Sequence, residues 1–167
     1  MEEFLNFFLS LLEKELRLQK ELLELARQKK KFLLQNRMEE LVGILEKEGE
    51  LVCQAREVET KMKRVWKEAV HQLGLEPEEF SISRLVKLSD QGRGKKFLDL
   101  QSDLQKTLWE LRELNEQNAL IIRDTLNYIE IMFSILFRHF DTQGKSYGPF
   151  GQVSNGGSCG IIINGVV

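Results

Sequence analysis

Histidine and cysteine, the side chains most used as bases, nucleophiles and transition-metal ligands, are few in this 167-residue chain, which holds 2 His and 2 Cys, and its many carboxylates fit the solvated faces of long helices. A nucleophilic site needs its thiol or hydroxyl beside a base, and a metal site needs three or four ligands at recognisable spacing. His71, His139, Cys53 and Cys159 offer neither. The cysteines lie far apart without a CxxC pattern and read as free thiols of a reducing compartment. The glycine pairs Gly92-Arg-Gly94 and Gly156-Gly157 neither follow a strand nor open a phosphate-binding helix. His71 has one sharper reading. Phosphotransfer proteins carry an exposed histidine on a bundle helix, and Ala69-Val-His-Gln-Leu-Gly74 offers that setting. No basic residue follows on the next turn, and an imidazole at the negative pole of a helix explains it equally. The expectation is a protein that is not an enzyme and has no cofactor and no metal.

Charge excludes further classes. Lys+Arg 24 against Asp+Glu 26 gives a net charge of -2, without the basic excess of a nucleic-acid binder. The run Lys29-Lys30-Lys31 suits the negative end of a helix. The start, Met1-Glu-Glu-Phe-Leu, lacks the basic region of a signal peptide. The most apolar stretch, residues 119–140, is broken by Arg123, Asp124, Glu130 and Arg138, so no membrane insertion is expected. A cytoplasmic location follows.

What the chain has in surplus is apolar side chains at helical spacing. One row near the start reads Phe4, Phe8, Leu11, Leu18, Leu22, Leu25, Phe32. A second reads Leu5, Leu9, Leu12, Leu16, Leu23, Ala26, Leu33. Positions three and four apart share a helix face, so the rows make one wide stripe. Asn36-Arg37-Met38-Glu39 has the form of a capping box, which predicts a second helix from about Arg37. Its stripe is Met38, Leu41, Leu45, Val52, Ala55, Met62, Trp66, Ala69, Leu73, and Gly74 and Pro77 end it. Ser83 is placed to cap a short helix over residues 84–89, and Gly92 to Lys96 reads as a flexible basic loop.

A third helix is predicted from about Lys95 to Phe140, with the stripe Phe97, Leu100, Leu104, Leu108, Leu111, Asn115, Asn118, Ile122, Leu126, Ile129, Phe133, Leu136, Phe140. Long helices joined by short connections pack as antiparallel neighbours. The predicted fold is therefore all-α: an elongated antiparallel coiled-coil-like bundle of three long helices plus a short helix, over residues 1–141. The Gly-, Ser- and Asn-rich tail, 142–167, is expected to be flexible or to form a hairpin around Asn164-Gly165.

The third helix carries more apolar surface than one stripe requires. A second row comprises Leu114, Ile121, Tyr128, Met132 and Ile135, widened by Leu120, Ile131 and Phe137. A helix apolar nearly all round must be buried on several sides, and two other helices leave part of it to a partner. The alternatives are a thicker bundle at this point or self-association, as in a coiled-coil adaptor or stalk that dimerises through the same surface.

Three features together resemble the FlgN family of flagellar export chaperones. They are the Leu-rich first helix with its break at Asn36 before Met38-Glu-Glu-Leu, the segment Leu111-Arg-Glu-Leu-Asn-Glu-Gln-Asn-Ala-Leu-Ile121, and the ending Ser146-Tyr-Gly-Pro-Phe-Gly-Gln-Val-Ser154. The resemblance spans nearly the whole chain. It implies a cytoplasmic chaperone that binds hook-associated (hook–filament junction) proteins, prevents their premature assembly and delivers them to components of the flagellar export apparatus. It associates client binding with the C-terminal helical region, here Asn118 to Phe140. The expected partner-binding residues are Leu114, Asn118, Ile121, Tyr128, Met132, Ile135 and Phe137.

Overall fold

A computed structural model describes residues 2–73 and 82–143. Four helices hold nearly all of them: α1 (Glu2–Leu34), α2 (Met38–Leu73), α3 (Ile82–Leu88) and α4 (Gln91–Gln143). There is no strand among the described residues. The fold is an all-α bundle, as its periodicity requires. The expected tail lies, from residue 144 on, outside the described residues, and so do Gly74 and Pro77. The chain divides into two compact units, residues 1–122 and 123–167, with α4 contributing to both.

In the first unit α1 is the central helix, because it carries two apolar rows shifted by one residue. One residue along a helix is a rotation of about 100°, so the two rows face different directions, with Phe8 of the first packing beside the second. Leu11 and Leu18 pack with Val58 of α2, flanked by Leu51, Ala55, Met62 and Val65. Leu5, Phe8, Leu9 and Leu12 join Leu85 of α3 and Phe97 of α4, with Trp66, Leu100 and Leu104 around them. Each leucine so buried contributes about 1.5–3 kcal/mol.

Cross-helix contacts fix the directions. Phe8 meets Trp66 at 6.0 Å between ring centroids, and Lys29 pairs with Glu48 at 2.7 Å, so α1 and α2 are antiparallel. Lys20 reaches Asp103, Arg27 reaches Glu110 and Lys30 donates to Gln117, so α1 and α4 run parallel.

Four sequence expectations need correction. Asn36 does not open α2; it closes α1. Its φ of 54° is left-handed, and the Arg37 N–H donates to the Phe32 carbonyl at 3.0 Å while the Asn36 N–H donates to Leu33. That pair of bonds is the Schellman closure, in which Asn is the next-best residue after Gly. Ser83 lies inside α3 rather than at its cap.

The segment Gly92 to Lys96 is the first turn of α4, not a loop. Asp90 Oδ1 accepts from the Arg93 N–H at 2.7 Å, which is N-cap geometry. That bond and the Arg93 guanidinium hold the Asp90 carboxyl below its ordinary value. Arg93 also bonds Glu2 at 2.8 Å, tying the starts of α1 and α4 together. Gly94 is buried because α3 passes close: a Cβ there would stand 3.3 Å from Val86 Cγ1.

The stripes of α2 and α4 depart from those predicted at some positions, while Ala55, Met62, Trp66 and Ala69 of α2 and Phe97, Leu100, Leu104, Leu111 and Asn118 of α4 are covered as expected. In α2, Ile44 and Val58 are buried whereas Met38 and Leu45 are half exposed. In α4 the covered positions are Phe97, Leu100, Leu104, Thr107, Leu111, Leu114, Asn118 and Ile121, alternating three and four. Helices that pack at that 3.5-residue period form a coiled-coil seam. Leu108, Asn115 and Ile122 belong to a 3.6-residue row that drifts off it, and Leu108 and Ile122 are exposed.

Candidate hydrophobic docking face on helix α4

Along the first unit, the α4 seam is part polar. Thr107 and Asn118 are buried, and Asn118 is 2% exposed. Asn118 Nδ2 donates to the Ala26 carbonyl at 3.0 Å, while its Oδ1 and that of Asn115 find no partner among the described residues. A buried amide in a heptad seam fixes register at a cost in stability. Asn118 is thus one of the contacts that hold α4 against α1. Leu114 and Ile121 flank it, half buried.

The second unit is built differently. Its described part is the helix from residue 123 to 143, and its residues 123–138 carry large apolar side chains exposed on most sides. One row runs Thr125, Tyr128, Met132, Ile135, and Tyr128 is 62% and Met132 42% exposed. A second row, one residue along, runs Leu126, Ile129, Phe133, Leu136, all exposed. Phe137, also exposed, lies beside Phe133 with ring centroids 6.2 Å apart and planes 23° from parallel. Polar positions are Arg123, Asp124, Thr125, Asn127, Glu130, Ser134 and Arg138, and Ser134 turns its hydroxyl back onto the Ile131 carbonyl at 2.8 Å. Contiguous apolar surface of this kind is uncommon on a protein that works alone.

Of the predicted partner-binding residues, Tyr128, Met132, Ile135 and Phe137 share this exposed stretch, while Asn118 belongs to the bundle core. Leu126, Ile129, Phe133 and Leu136 read in sequence as the covered stripe, and the structure exposes them. Their three-and-four spacing marked an apolar row correctly. What it does not reveal is whether a neighbour remains to cover that row.

Among the described residues, the side chains singled out for chemistry in sequence stand apart from one another. His71 is exposed in the last turn of α2, Cys53 is an exposed free thiol, and no group of three metal-ligating side chains occurs among the described residues. No helix there is long and apolar enough to cross a membrane.

The model of the FlgN protein family matches residues 1–155. No curated protein and no solved structure matches significantly.

Proposed function

The chain belongs to the FlgN family of flagellar export chaperones, and on that premise we propose that it binds hook-associated (hook–filament junction) proteins through residues 123–138 of α4. The observation that carries this reading is the run of exposed apolar residues there, Tyr128, Met132, Ile135 and Phe137 among them. A helical client segment laid on that face hides apolar surface on both partners, which is helix-in-groove recognition. Methionine and aromatic side chains adapt to clients of differing shape. Covered in this way in the cytoplasm, the client is kept from premature assembly and is handed to the export apparatus. Neither nucleic acid nor a cofactor enters this scheme.

The test is calorimetric titration of the chain with a full-length junction protein from the same genome, repeated with Met132→Glu combined with Ile135→Glu. Saturable one-to-one binding is expected for the wild type. The double variant should lose it while keeping its helical circular dichroism. Absence of wild-type binding, together with a stable dimer whose interface is this face, would replace the chaperone reading with a coiled-coil adaptor. An unfolded double variant would show the row to be core.

A further inference from the structure

Resting on that reading, we infer that the partner covers the face with two α-helices at once, one on each heptad row of the exposed part of α4. The molecule holds its own template. In α1, two rows of mostly three-and-four spacing, offset by one residue, are covered on two sides: Leu11 and Leu18 by α2, and Leu5, Leu9 and Leu12 by α3 and α4, with Met62, Val65 and Trp66 of α2 at their edge. In the second unit, Tyr128, Met132 and Ile135 form one such row, and Ile129, Phe133 and Leu136 form another, again offset by one residue. Here both rows are exposed.

An offset of one residue turns the rows about 100° apart on the helix. Occupants at helix-packing distances of 8–10 Å then have axes roughly 14 Å from each other. One helix cannot sit in both seams; a pair can, as α2 and α4 do around α1.

Area argues the same way. Each of these side chains, about half exposed, leaves on the order of 100 Å² to be covered. A single row supplies some ~400 Å² with its flanks, against the ~800 Å² per partner of a specific interface. The two rows together approach that value. Two helices in one partner chain also gain from linkage, because docking the first raises the effective concentration of the second. The partner thus presents two neighbouring helices, each with a heptad stripe of at least three apolar residues.

The experiment uses the full chain with Cys53→Ser and Cys159→Ser, carrying either Ile135→Cys or Leu136→Cys labelled with a short photo-crosslinker. Each is mixed with the full-length junction protein used above, and adducts are mapped by mass spectrometry. The inference expects a one-to-one complex in which positions 135 and 136 mark two client segments distant in sequence. It also expects Tyr128→Glu and Leu136→Glu each to weaken binding at least roughly thirty-fold, with unchanged helical content. Adducts from both positions on one and the same client segment overturn the two-helix inference and leave the chaperone reading standing. No adduct and no binding at all overturn both.

Discussion

Helix α1 and the segment 123–138 of α4 are built to one pattern and meet opposite fates. Each carries two apolar rows at three-and-four spacing, offset by one residue. In α1 both rows are covered, and Leu5, Leu12 and Leu18 lie in the core. In 123–138 both rows are exposed, from Tyr128 to Leu136. Leucine and aromatic residues at helical spacing state only how much surface must be hidden. Which neighbours hide it depends on the rest of the chain, and α2, α3 and the first part of α4 are used up around α1.

The sharpest way to break the comparison is to make the same truncation in both regions. Leu18→Ala, at a site 2% exposed, should lower unfolding free energy by about 2–5 kcal/mol in a denaturant titration. Leu136→Ala should stay within about 0.5 kcal/mol. Equal losses would mean that 123–138 is covered in the free chain after all.

Asn118 tests where the covered region ends its apolar character. Asn118→Leu removes an amide whose Oδ1 is buried without a partner, and its only described bond goes to a helical carbonyl. Thermal melting should show a gain of about 1–2 kcal/mol, with looser α1–α4 register as the penalty. A loss would mean that the bond outweighs the unmet oxygen.

A smaller effect lies in the helix that covers α1. Gly49 has nothing within 4 Å of where a Cβ would be, so Gly49→Ala should stabilise α2 by up to about 1 kcal/mol without altering partner binding.

The smallest effect is at the start of α4. The Asp90 carboxyl is held below its ordinary 3.8 by the bonds from Arg93. A depressed carboxylate stabilises the fold above its unfolded value, and that contribution is lost as pH falls through the folded value. The drop in melting temperature between about pH 6 and about pH 3 should therefore be smaller in Asp90→Asn than in the wild type.

Much of this fold is legible in sequence. Leu5 to Leu33 announce α1 and both its rows, because every buried residue there is apolar and the helical spacing recurs along the whole segment. Boundaries are less legible where one residue type serves two ends: Asn36 suits an N-cap and a left-handed closure alike, and the Phe32 carbonyl decides between them. Gly92 and Gly94 read as a loop because the approach of Val86, which leaves a Cβ at Gly94 little room, is a tertiary fact. The heptad drift that buries Thr107 and exposes Leu108 is a property of paired helices, not of one. The candidate site was half legible: the surplus at Tyr128, Met132 and Ile135 stands out, but spacing alone does not show that Leu126, Ile129, Phe133 and Leu136 are exposed.

Amide hydrogen exchange on the chain alone and in complex with a junction protein tests the central claim most directly. An uncovered helix gets little help from tertiary packing and opens readily. The account predicts that 123–138 exchanges fast in the free chain and becomes protected in the complex, while α1 is protected in both. Protection of 123–138 in the free chain equal to that of α1 would contradict it.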